Sequence, residues 1–177
     1  AIEQEYQDIA KGQLDEVMES IGYQRHPNDI DLTCIHKQDF PEPSFIVDPL
    51  IPRGQITLLS GHGGSFKSLL TLYLSLCVAA GKDFSGLSVK RGRVLYYSIE
   101  DDKNFVGSRL QRMVAKMGMK APDLADGLVV RDMTAANPPF IAQYGPGGIS
   151  FESEGERLLA DMRSGEFDMV VLDNASE

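Results

Sequence analysis

Gln55-Ile-Thr-Leu-Leu-Ser-Gly-His-Gly-Gly-Ser-Phe-Lys-Ser68 runs from an apolar segment into a glycine-rich turn, and an apolar run follows at once. Gln55 to Ser60 has the aliphatic and β-branched content of a buried strand. Residues 67–80 predict a helix, closed by Gly81. A strand, a glycine turn and a helix in this order suit a phosphate. Glycines let the chain fold around an anion with successive N–H groups pointing inward, and the helix N-terminus adds partial positive charge. Gly61, His62, Gly63, Gly64, Ser65, Phe66, Lys67 and Ser68 are therefore the expected nucleotide-binding residues. On this reading Lys67 reaches the β- and γ-phosphates of ATP and takes part in catalysis, while the Ser68 hydroxyl ligates Mg²⁺. The plain alternative is a strand-to-helix turn that binds no phosphate.

One position departs from the general G-x-x-x-x-G-K-[ST] pattern: Phe66 stands where glycine precedes the lysine. A bulky residue can still donate its N–H there if its φ stays negative, since only positive φ penalises a side chain. The expectation is a negative φ at Phe66, with its ring under the loop or beside the nucleotide.

Two carboxylates follow apolar strands. Val94-Leu-Tyr-Tyr-Ser-Ile99 leads into Glu100-Asp101-Asp102, and Met169-Val-Val-Leu172 ends in Asp173. Both lie at carboxyl ends of parallel strands, the edge that also carries the loop. Asp173 fits the acid that holds Mg²⁺ through water, as partner of Ser68. Glu100 fits a general base for the water that attacks the γ-phosphate. Asp101 and Asp102 fit caps for the next helix. Acids at strand ends are often only solvated turns; the order of the parts along the chain is what favours the catalytic reading.

Strand candidates at residues 55–60, 93–99, 128–132 and 169–173 alternate with helix candidates at 67–80, 103–117 and 154–163, with Ser153 and Glu156 as a capping-box pair. This alternation predicts an α/β fold, a parallel sheet with flanking helices. Residues 2–21 have helical spacing of apolar residues with acids between them and Gly22 as a stop. That helix either packs on its own domain or docks on a neighbouring subunit. Residues 23–46 are polar and marked by prolines, as a connecting arm is. Residues 1–45 thus form an acidic leader helix and arm, and 46–177 the core. Residues 134–150 are expected to form a long loop without strand periodicity, functional or mobile.

Charge narrows the partners. The net charge is −9, and residues 1–50 hold eleven acids against three bases. An acidic leader disfavours nucleic acid, whose phosphates call for Lys and Arg. No stretch approaches the ~20 apolar residues of a membrane span, and no secretory signal is visible. Cys34 and Cys77 lie far apart, which favours a reducing cytoplasm over a disulfide framework. Cys34 and His36 near Asp29 and Asp31 lack the second pair that a metal site needs. His62 either touches phosphate or faces solvent. Arg109 and Arg112 read as a solvated helix face, and the apolar residues from Leu69 to Val78 surround their helix as in one buried under a sheet.

Pro52 to Ser68, Val94 to Asp102 and Phe167 to Ser176 resemble the RepA-type ATPases of plasmids and phages. These are RecA-like AAA ATPases related to hexameric replicative helicases and to KaiC. The resemblance covers about residues 45–177, and members of that family with Ser-Phe-Lys-Ser in the loop occur. It implies a P-loop NTPase, a RecA-like sheet with its C-terminal part missing after Asp173. It also implies ATP hydrolysis with Mg²⁺ at the subunit interfaces of a homo-oligomeric ring, and DNA as partner of the full-length protein only. A chain shortened there lacks the arginine finger and the DNA-contacting loops, so nucleotide binding with little turnover is expected. The function implied is a replicative, helicase-type motor. A RecA- or KaiC-like regulatory ATPase, an ATP-dependent assembly module, is the alternative. A small-molecule phosphotransferase ranks last, because no late arginine-rich lid is visible.

Overall fold

The computed structural model describes residues 2–22, 28–120, 124, 126–134, 142–145, 148–151 and 153–173. The chain forms two units, Ala1–Glu42 and Pro43–Glu177. The first holds helix α1 (Ile2–Ser20) and a 3-10 turn at Leu32–Lys37. Gly22 takes a φ of 69° just past α1 and donates its N–H to Glu19 O, the stop expected there. Tyr6, Ile9, Leu14 and Val17 are exposed along α1, as is Ile21 just past it. In the arm, Gln38 Nε2 donates to Asp31 O at 3.2 Å and to Cys34 Sγ at 3.3 Å, which ties the 3-10 turn together.

The second unit runs β1 (Phe45–Val47), β2 (Ile51–Pro52), α2 (Lys67–Ala80), β3 (Val94–Ser98), α3 (Lys103–Lys116), β4 (Leu128–Asp132), β5 (Ala142–Gly145), β6 (Gly148–Phe151), α4 (Ser153–Arg163) and β7 (Met169–Asp173). Its centre is a parallel sheet in the order β4-β3-β7. All five residues of β3 are buried, as a central strand covered on both faces requires, and its Val-Leu-Tyr-Tyr-Ser sequence lacks any charge. The two-residue period divides them between the faces. Tyr96 packs with Leu72 of α2 and Val106 of α3, whereas Leu95 and Tyr97 pack with Leu158 of α4. Helices therefore cover both sides of the sheet, the α/β class expected from the sequence.

α4 is also held by a polar cluster. Tyr97 Oη donates to Asp161 Oδ2 at 2.7 Å, and Arg131 of β4 pairs with the same carboxylate. Burial pushes the Tyr97 phenol up to about 12, and the Asp161 hydrogen bond acts in the same direction. Burial raises Asp161 too, but hydrogen bonds from Arg131 and Tyr97 outweigh it and hold this carboxyl below its usual range.

The elements expected at 67–80, 128–132 and 169–173 form with those bounds. Three expectations fail. Residues 55–60 are not a strand: their main chain has no hydrogen-bond partner among the described residues, and Ile56 and Leu58 are 97% and 83% exposed. A β-prone segment becomes a strand only where another main chain pairs with it, and no described strand does. Within 134–150, expected to lack strands, residues 142–145 and 148–150 belong to β5 and β6, which pair antiparallel with Gly145 opposite Gly148, while 135–141 and 146–147 lie outside the described residues. The helix of α2 is not buried all round either: Leu69 and Leu70, in its first turn, stay exposed.

Candidate nucleotide-binding site

The 61–68 loop enters α2 through a turn closed by Ser65, whose N–H and Oγ both donate to His62 O, at 3.2 and 2.7 Å. Lys67 opens the helix and turns back, its Nζ donating to Gly61 O at 2.8 Å and His62 O at 3.0 Å. The ammonium thus folds back over the loop. No described residue accepts the N–H groups of Gly63, Gly64, Phe66, Lys67 or Ser68. Unpaired donors gathered at the start of a 14-residue helix are the arrangement that suits an anion.

Phe66 overturns one expectation. Its φ is +60° and its ψ 22°, in the left-handed region. The chain must reverse between the 62–65 turn and α2, and at this position the backbone does so in the conformation that favours glycine. For an L side chain that conformation costs roughly 1–2 kcal/mol. The ring is 74% exposed, so it is not packed under the loop.

Across from the loop, the Ser68 hydroxyl donates to Asp173 Oδ1 at 3.0 Å. Asp173 is buried, and its second oxygen, Oδ2, accepts from Tyr96 Oη. Thr71 Oγ1 lies 3.3 Å from that same Tyr96 oxygen. Burial pushes the Tyr96 phenol well up, with the Asp173 hydrogen bond acting the same way, so the hydroxyl remains a donor. The Ile99 N–H donates to Asp173 O at 2.7 Å, which fastens the ends of β3 and β7 together. Ser98 is level with Asp173 in the parallel register, and the exposed Glu100 follows two residues beyond. The structure therefore brings Lys67, Ser68, Asp173 and Glu100 to one edge of the sheet. His62 contributes its carbonyl to the loop.

The acids after Glu100 divide their tasks. Asp102 caps α3, accepting from Asn104 N and Phe105 N at 2.8 and 2.9 Å. Asp101 instead pairs with Arg109, whose guanidinium also lies over the Phe105 ring at 4.2 Å. Asp132, at the end of β4, accepts from Lys103 N at 2.8 Å and from Thr134, and those bonds hold its carboxyl below the usual range. Tyr96, Thr71 and Asp132 were not singled out from the sequence. A tyrosine inside a fully buried strand must find a partner for its hydroxyl, and that rule pointed to Tyr96.

These residues fit the groups expected of them. Free N–H groups beside a lysine suit a polyphosphate, and a hydroxyl with a carboxylate suits a hard divalent cation. Among the described residues no three His, Cys, Asp or Glu side chains gather as a metal site of their own. Residues 28–177 match the family model of the AAA domain. The chain belongs to that family. AAA domains are ATPases of the P-loop class, which generally use ATP and Mg²⁺, and the sheet with its flanking helices is the P-loop NTPase architecture. The match takes in the loop, both acidic strand ends and α4 of this AAA domain, and begins within the polar arm. No helix among the described residues is long and apolar enough to cross a membrane.

Proposed function

We propose that this AAA domain binds Mg-ATP in the 61–68 loop and serves as the core of a RepA-type, RecA-like motor ATPase. The observation that carries the site is the Ser68–Asp173 hydrogen bond beside the unpaired N–H groups of the loop. It joins a helix N-terminus to an acidic strand end 105 residues away, as a nucleotide-metal site requires. Main-chain N–H groups from Gly63 to Ser68 grip the phosphates. Lys67 leaves the Gly61 and His62 carbonyls to neutralise the β- and γ-oxygens. The Ser68 hydroxyl and, through water, Asp173 would hold magnesium, which would offset phosphate charge. Glu100 accepts the proton of the attacking water.

Residues 1–45 act as an acidic leader and 46–177 as the ATPase core. We infer that the core assembles as a homo-oligomeric ring that works on DNA, as the RepA-type resemblance implies. The exposed apolar stripe of α1 favours a second reading, a RecA- or KaiC-like regulatory ATPase whose nucleotide state sets assembly. Single-strand-stimulated ATPase with strand displacement supports the motor. Partner-dependent assembly without it supports the regulator.

Calorimetry tests the site directly. Wild-type chain titrated with ATP and magnesium should release heat at micromolar affinity. Lys67→Ala should weaken binding about 10- to 100-fold, as loss of a charge-assisted bond does. Glu100→Gln should bind like wild type while any hydrolysis falls about 10²- to 10⁴-fold. No heat from the folded wild-type chain with millimolar nucleotide would remove the proposal.

A further inference from the structure

Tyr96 lies at the middle of the central strand β3 and is 1% exposed. Its ring fills the space between Leu72 and Val106, a place a phenylalanine would fill as well. The hydroxyl is what packing does not explain. It sits where α2 and β7 meet β3: it donates to Asp173 Oδ2 on β7, and on α2 it lies 3.3 Å from Thr71 Oγ1 and 3.5 Å from Ser68 O. Both oxygens of Asp173 are thereby committed, Oδ1 to Ser68 and Oδ2 to Tyr96. A carboxylate with one donor can rotate about its terminal bond, whereas two donors on opposite oxygens fix its plane.

We propose that Tyr96 is a positioning residue for the metal: its hydroxyl holds the Asp173 carboxylate so that Oδ1 stays aimed at the Ser68 hydroxyl. It touches neither nucleotide nor metal. The proposal rests on reading Ser68 and Asp173 as the metal pair. Outer-shell donors of this kind typically change metal affinity 10- to 100-fold when removed. Thr71 Oγ1 stands 3.3 Å from the tyrosine oxygen and donates to Ser68 O at 3.2 Å, so its hydroxyl borders the Tyr96 hydroxyl on the α2 side.

The test uses Tyr96→Phe in the whole chain and a fluorescent ADP analogue, titrated with magnesium and, separately, in excess chelator. Tyr96→Phe should raise the magnesium midpoint about tenfold while affinity in chelator stays within about twofold of wild type. A residue that merely packs would leave the midpoint alone or weaken both conditions together. An unchanged midpoint in a folded Tyr96→Phe protein overturns the proposal. Should that variant not fold, Thr71→Val removes the hydroxyl beside Tyr96 Oη at nearly constant volume and should move the midpoint in the same direction by about threefold; no movement overturns the proposal too. Asp173→Asn is the control. If it shifts the midpoint and Tyr96→Phe does not, only the positioning role falls. If neither does, the metal assignment itself falls.

Discussion

Ser68 Oγ and Asp173 Oδ1 are 3.0 Å apart, the first turn of α2 against the last residue of β7. Asparagine at 173 keeps an acceptor of the same shape but removes the charge. Asp173→Asn should therefore leave ADP affinity in chelator unchanged and reduce the gain on adding magnesium about tenfold or more. Ser68→Ala should act in the same direction. Competition with a fluorescent nucleotide measures both.

Phe66 stores strain that glycine would release. Its φ of +60° with a largely exposed ring means that Phe66→Gly sacrifices little burial. Phe66→Gly should stabilise the chain by about 0.5–1 kcal/mol after the extra flexibility of glycine is counted. Phe66→Val, β-branched in a left-handed position, should destabilise it by about 1 kcal/mol. Urea unfolding of the two variants checks the opposite signs.

Acid should loosen the fold through three carboxylates. Asp132 is held low by Thr134 and the Lys103 N–H, Asp161 by Arg131 and Tyr97 against the pull of burial, and Asp168 by the Arg93 N–H and Arg53. Near pH 4 the unfolded chain binds more protons than the folded one, so stability rises with pH there. The contribution is complete above roughly pH 5 and is lost as pH falls through the depressed folded values. Tyr97 has the opposite sign: its phenol, raised to about 12, contributes below roughly pH 10 and ceases to as pH rises through that value. Melting temperature against pH should show a shallower acid limb in Asp161→Asn and a shallower alkaline limb in Tyr97→Phe.

Residues 55–60 present apolar side chains and unpaired main chain together, the combination that invites association. Leu58→Lys breaks the apolar run at a position 83% exposed. This 177-residue chain should become more monomeric by light scattering, with stability within about 0.5 kcal/mol of wild type. A large loss of stability would show that Leu58 is packed after all.

The legible features were those written in a few adjacent residues. Helix α2 could be read from its glycine-rich approach and Gly81, and Asp102 from its place before a helical run. Arg109 was read as a solvated surface, yet it meets Asp101, because one residue's spacing does not reveal what stands eight positions away in the chain. The β5–β6 hairpin was hidden by its short strands, too brief for alternation to register.

By itself the sequence determined a glycine-rich turn before a helix, acids after two apolar strands, and the excess of acids in residues 1–50, since each depends on neighbours in the chain. Only the tertiary structure decided that 55–60 lacks a pairing strand, that Phe66 turns left-handed, and that Tyr96 reaches Asp173. Those outcomes depend on which distant main chain or side chain arrives to share a hydrogen bond, and chain-local propensity carries no record of that.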